Sequence, residues 1–305
     1  MGGATYCYTA AVNDTTGVRE FSRSASRATA NAMFLSKGVD EIFTQQRERR
    51  AHDTMLPKNA KMREARDSEA HPNSFPVILT LDVTGSMRRI PHDLIKTGLP
   101  TMMGGLVDKG ANDVSLLFLA VGDHVSDRYP LQVGQFESGD SELDMWLTRT
   151  YLEGGGGGGY SESYHLAWEF AADHTQSDAW DKRNQKGLLF TIGDEFVHPD
   201  MPKSVREQLY DETGVQSGFS REELLKKAQE RYDVYHLHIM HTPASKKAYE
   251  QWKDLLGQNA IAVDDFTKIP EIVSKIVLES VKDSGGIDKS KIKVEVKDKV
   301  ETEML

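Results

Sequence analysis

From residue 75 onward, apolar residues occur in short unbroken runs, and the stretches between them carry apolar residues at helical spacing. The runs at 77–81, 114–121, 187–192 and 234–240 are strand-length and apolar nearly throughout, so each is expected to be a strand covered on both faces. A weaker run at 131–136 follows Pro130 and alternates, as an antiparallel edge strand does, and 260–263 is a short last strand. Helices are expected at 91–107, 141–149, 164–171, 203–210, 246–256 and 270–281. The first should bend around Gly98 and Pro100, and Ser220 with Glu223 makes a capping box ahead of Leu224, Leu225 and Ala228. Strands alternating with helices imply an α/β fold: a Rossmann-like, doubly wound, mostly parallel sheet with one antiparallel edge strand and helices on both faces.

Residues 1–74 lack this rhythm. Two modest helices, at 22–34 and 39–50, and a charged run from Lys61 to Glu69 suggest a helical extension packed on a main domain at 75–283. After Ser284-Gly285-Gly286, residues to 305 read as a polar tail, although Ile292, Val294 and Val296 alternate well enough for a weak edge strand.

Composition narrows the function classes. A net charge of −10 argues against a protein whose main task is neutralising a nucleic-acid backbone. The charge is uneven, since residues 18–66 hold eleven Lys and Arg against six Asp and Glu, a stretch best read as a solvated helical face. No apolar run approaches the ~20 residues of a membrane span, and the N-terminus lacks a signal-peptide pattern. Met1-Gly2 does not make a myristoylation signal, because Tyr6 stands where Ser or Thr is wanted. The single cysteine, Cys7, excludes an internal disulfide, and the expected location is a reducing cytoplasm.

The candidate chemistry lies where strands end. The first run stops at Asp82, with Thr84 and Ser86 at alternate positions after it. A carboxylate and two hydroxyls are hard ligands suited to Mg²⁺, or to Mn²⁺. Asp194 ends the 187–192 strand in the same way. The six-glycine run 154–159 lacks the Gly-Lys-Ser/Thr ending of a phosphate loop, and it leads into Tyr160-Ser161-Glu162-Ser163 ahead of a helix. Ligands of such sheets bind beyond the carboxyl ends of strands where strand order reverses. If the strands ending at Asp82 and Asp194 are neighbours there, these groups converge.

With these residues the chain, over about 75–282, resembles the von Willebrand factor type A (VWA) family and its metal-ion-dependent adhesion site (MIDAS), in the form found in intracellular bacterial or phage proteins. Asp82-Val83-Thr84-Gly85-Ser86 stands for Asp-x-Ser-x-Ser, and Gly193-Asp194 for the family's Asp-Gly in reversed order. The family's separate metal-binding Thr has no clear equivalent; Ser161 is the substitute, with Glu162 and Ser163 as rivals. The resemblance implies a VWA fold and a non-enzymatic, metal-dependent protein-binding module. Thr84, Ser86 and Ser161 would ligate Mg²⁺ directly, while Asp82 and Asp194 act directly or through water. An open position would take an Asp or Glu carboxylate from a partner protein, in an adaptor or assembly role, with a MoxR-type AAA+ ATPase as an implied partner. Neither nucleic acid nor membrane is expected as a partner.

Two other readings stand beside this one: a hydrolase using the same ion to activate water, and a structural protein whose ion stabilises a loop. The hydrolase needs a base, and His92 and His165 on neighbouring helices are the candidates, though each reads more simply as a satisfied polar residue. His236 and His238 share one face of a strand at a metal-capable spacing, and a structural role is expected for them.

Overall fold

The computed structural model describes residues 43–109, 111–154, 159–215 and 217–282. Six strands form the central sheet: β1 (Phe75–Asp82), β2 (Val114–Val121), β3 (Leu131–Glu137), β4 (Gly187–Gly193), β5 (Tyr232–Ile239) and β6 (Ala260–Val263). Their spatial order is β6-β5-β4-β1-β2-β3, parallel throughout except β3, which runs antiparallel along β2 at the edge. This is a mixed α/β architecture consistent with a Rossmann-like fold. The chain moves outward from β1 to β2 and β3, then returns to the other side of β1 with β4. Strand order therefore reverses between β1 and β4.

Alternate side chains of the buried strands feed two cores. Val77, Leu79 and Leu81 of β1 meet Leu94, Met102, Met103, Val273, Ile276 and Val277 on one face. On the other face Ile78, Leu117, Leu119 and Leu189 meet Trp168, Phe170, Leu224, Ala228 and Trp252. Helices thus cover both faces. Ile90–Asp93 continues through a π turn at Leu94–Gly98 into Leu99–Asp108. Pro100 has no N–H to return to the carbonyl four residues earlier, and the wide turn lies where the regular ladder would fail.

The short elements were less legible. Arg63–Ala65, inside the charged run, is a strand paired in parallel with Thr175–Ser177. Arg66 meets Glu64, Asp178 and Asp181 beside it, and Arg183 meets Asp67. Phe43 is buried in the first core and Ala60 and Ala65 in the second. Of the expected helix at 39–50, residues 43–50 are described, and Thr44–Glu48 is helical. The expected helix at 22–34, the centre of the glycine run and the tail lie outside the described residues. Each fully buried Leu, Ile or Phe is worth about 1.5–3 kcal/mol, against about 0–1 kcal/mol for an exposed ion pair, so the sheet and its two cores carry the stability. No described helix is long and apolar enough to cross a membrane.

Candidate metal centre at the carboxyl edge of the sheet

Parallel pairing of β1 with β4 sets Leu81 opposite Ile192. The chain then leaves both strands at the same edge, and Asp82 and Asp194 emerge together at the reversal. Asp82 is fully buried, and Thr84 and Asp194 nearly so. Thr84 donates from its hydroxyl to Asp82 Oδ1 at 2.6 Å, and its amide donates to the same oxygen at 2.9 Å. Ser86 Oγ donates to Asp194 Oδ1 at 2.7 Å, a contact between residues 108 positions apart in sequence.

These bonds decide where the hydroxyl lone pairs go. Each hydroxyl has one proton, and both protons are spent on aspartates. Thr84 Oγ1 and Ser86 Oγ nevertheless approach each other to 3.2 Å. Two adjacent oxygens of an octahedron with metal–oxygen bonds of 2.0–2.1 Å lie about 2.9 Å apart. The pair is thus close to the spacing of two neighbouring ligands on one small cation. The remaining aspartate oxygens are tethered from outside, Asp82 Oδ2 by the Tyr164 hydroxyl at 2.5 Å and Asp194 Oδ2 by His241 Nε2 at 2.7 Å.

The electrostatics is one-sided. Burial, and next the charge of Asp194, push the Asp82 carboxyl up from the usual aspartate range. Glu195 is pushed up to about 7 by burial and by Asp194 and Asp82. Glu162 is also pushed up, by burial and then by Asp82, Asp123 and Asp127, with its approach to Thr84 acting the other way. Glu162 Oε2 and Glu195 Oε2 are buried without a hydrogen-bond partner. Among the described ion pairs, no Lys or Arg meets these acids, and His241 on Asp194 is the one basic partner. Buried carboxylates without counter-charge are costly, and either a bound proton or a cation would balance them.

Of the residues proposed from sequence, Asp82, Thr84, Ser86 and Asp194 are brought together. No described hydrogen bond joins Ser161 to them. Ser161 and Glu162 form a two-residue strand alongside Phe196–Val197, and it is Glu162 that comes against Thr84. Ser163 is engaged elsewhere, accepting from the His124 amide at 2.8 Å. Tyr164 and His241 were not anticipated. Tyr164 reads in sequence as one residue of the helix expected at 164–171, and His241 lies two residues beyond β5 with no motif around it.

The other histidines divide. His236 and His238 form a buried relay, in which Thr191 Oγ1 bonds His236 Nδ1 at 2.8 Å and His236 Nε2 bonds His238 Nδ1 at 3.0 Å. His238 Nε2 then donates to the Ser245 carbonyl at 2.7 Å, and His236 stacks on Trp252, so both act structurally. His92 bonds Asp93 through Nδ1 and packs on Phe43, but its Nε2 is buried without a partner, so the expectation of a satisfied residue is met at one nitrogen alone. His165 departs from the expectation of a satisfied polar residue: it is fully buried, and neither ring nitrogen has a hydrogen-bond partner.

A second cluster lies at the end of β2. Asp123, His124 and His198 each place one ligand-capable atom within 4.8 Å of the others. His198 Nε2 meets Asp123 Oδ1 at 2.8 Å, and His124 Nδ1 meets Ser163 Oγ at 2.7 Å. Burial pushes Asp123 up, but hydrogen bonds from Val125, Ser126 and His198 outweigh it and hold the carboxyl below its usual range. Burial, then the His198 charge, lowers His124. Asp123 and His198 stand 75 residues apart in the chain, and only the fold joins them.

The fold and site together define an α/β protein with a cluster of oxygen-bearing side chains at the switch point of a mostly parallel sheet. No protein-family model and no curated protein sequence matches the chain. Among solved structures, it is similar to the pilus adhesin SpaC from Lactobacillus rhamnosus GG in its open conformation, at 9% identity and a TM-score of 0.47. That match covers 71% of this chain and 31% of the adhesin. Proximal thread matrix protein 1 from the mussel byssus is similar at 9% identity and a TM-score of 0.45, over 68% of this chain and 48% of that one.

Proposed function

We propose that this protein is a non-enzymatic, metal-dependent protein-binding module of the VWA type, with Mg²⁺ held at a MIDAS-like crown. Thr84 and Ser86 would hold the ion through their hydroxyls. Asp82 and Asp194 orient those hydroxyls and act on the ion directly or through water, and Glu162 takes the place first assigned to Ser161. The 3.2 Å approach of two hydroxyl oxygens whose protons are both committed to aspartates carries this reading. When bound, the ion supplies a Lewis-acidic position that attracts a carboxylate. The chain's own residues set the hydroxyl orientation, bury the aspartates and leave Ser86 partly exposed at the mouth. A partner's Asp or Glu is the complementary group, in an adaptor or assembly role, and a MoxR-type ATPase is one such partner class.

The test compares the wild type with a Thr84→Ala/Ser86→Ala variant. Mn²⁺ bound to the wild type is followed by electron paramagnetic resonance as an acidic peptide is added, and the same two proteins are used for capture from native lysate with Mg²⁺ or chelator. The wild type should bind Mn²⁺, show a change in the ion's coordination with the peptide, and capture partners only with Mg²⁺. Equal capture in chelator would overturn the reading in favour of a structural ion, and metal-dependent turnover of a phosphoester or peptide in favour of a hydrolase.

A further inference from the structure

We propose that Asp123, His124 and His198 form a second metal site, selective for a first-row transition dication such as Zn²⁺ rather than Mg²⁺. The ligand atoms already lie within 4.8 Å of one another, a carboxylate oxygen and two imidazole nitrogens. Imidazole suits Zn²⁺, Ni²⁺ and Cu²⁺, whereas Mg²⁺ prefers oxygen, so the donor set separates this site from the crown.

The cluster is held by its surroundings. Asp123 Oδ1 accepts from the Val125 amide at 3.0 Å and Oδ2 from Ser126 Oγ at 2.8 Å, while the Asp123 amide donates to Asp127 Oδ2 at 2.8 Å. These bonds fix the carboxylate's direction. His124 is tied through Nδ1 to Ser163 Oγ at 2.7 Å, and outer-shell bonds of this kind orient metal-binding imidazoles. The His198 amide donates to the Glu162 carbonyl at 3.2 Å.

His165 supplies an independent observation. Its ring stands edge-on to His124, at 5.5 Å between centroids, and to His198, at 6.2 Å. Both nitrogens are buried and unpartnered, and an imidazole left so in the interior is destabilising. Three protein ligands leave a tetrahedral ion one further position, and a water there would give His165 the partner it lacks.

The site has a structural consequence for the crown. Glu162 is flanked in the chain by Ser163, which anchors His124, and is bonded through its carbonyl to His198. An ion across Asp123, His124 and His198 would therefore brace the backbone on the carboxyl side of Glu162. The two sites remain separable, because no residue is a ligand in both.

Zn²⁺ binding to the metal-free full chain is measured by calorimetry, and Cu²⁺-loaded protein by pulsed electron paramagnetic resonance, in the wild type, His198→Ala and Asp82→Ala. The expected result is one Zn²⁺ per chain in the wild type, with ¹⁴N couplings from imidazole on Cu²⁺. His198→Ala should weaken Zn²⁺ by more than the about 10–100-fold that loss of an outer-shell partner costs, and Asp82→Ala should retain it. Absence of Zn²⁺ binding, equal affinity in His198→Ala, loss in Asp82→Ala instead, or a Cu²⁺ signal without nitrogen couplings would each overturn the proposal. Should His198→Ala fail to fold, the wild-type nitrogen couplings decide. Failure of the crown would show separately, as loss of Mn²⁺ binding with Zn²⁺ binding intact.

Discussion

Gly193→Ala adds one methyl group at the point where β4 reaches the crown. Gly193 is not among the glycines of positive φ, so alanine meets no backbone penalty there and the effect is one of space. A Cβ at this position would lie 2.6 Å from Cε1 and Cζ of Tyr164 and closer still to its hydroxyl. Tyr164 cannot easily yield. It is fully buried, with Trp252 at 5.2 Å and His236 at 5.4 Å between ring centroids, and its hydroxyl is bonded to Asp82. Overpacking costs about 1–3 kcal/mol, and loss of a hydrogen bond to a charged group about 1.5–3 kcal/mol, so a total of about 3–6 kcal/mol is expected. That is a large part of the about 5–15 kcal/mol that holds a typical domain folded. Urea denaturation at constant slope gives the cost directly. The control is the same substitution in Tyr164→Ala, where the ring is gone and Gly193→Ala should add less than about 0.5 kcal/mol, because the two positions are coupled through the clash and its partner has been removed. Equal costs in the two backgrounds, or a wild-type midpoint for Gly193→Ala alone, would refute the claim that this glycine exists to let Tyr164 reach Asp82.

Glu162→Gln should make the metal-free protein more stable near neutral pH, by removing a carboxyl that burial, and then Asp82, Asp123 and Asp127, force to take up a proton on folding. Mg²⁺ at a hundred times its Kd adds about 2.7 kcal/mol to a protein that binds it only when folded, and thermal melts should show a smaller gain in this variant; an undiminished gain would remove Glu162 from the site. For Asp178, burial raises the pKa, but hydrogen bonds from Lys182, the Asp67 amide and Arg66 outweigh it and bring the carboxyl down to about 2. Its contribution is therefore complete above the ordinary aspartate value and lost as pH falls toward 2, so Asp178→Asn should flatten the acid limb of the stability profile, and an unchanged limb would count against this brace. Tyr210→Phe should cost about 1.5–3 kcal/mol by denaturant titration, since the phenol donates to the buried Glu169 carboxylate; a neutral result would mean that His174 and Arg206 suffice there.

Much of the fold was legible because burial on two faces leaves a local signature. The runs at 77–81 and 114–121 could be read as central strands, and the Ser220–Glu223 capping box forms as its spacing indicates. Arg63–Ala65 and Ser161–Glu162 carried no such signature, because two- and three-residue strands owe their conformation to a distant partner rather than to their own pattern. Asp82, Thr84 and Ser86 could be found together because one turn holds all three. Their meeting with Asp194 depended on which strand lies beside β1, and that was decided by the crossover from β3 back to β4. Tyr164, His241 and the Asp123–His124–His198 cluster were beyond sequence reading for the same reason. Side-chain chemistry is written in the chain, but the distances that turn it into a site come from how the two cores pack the sheet.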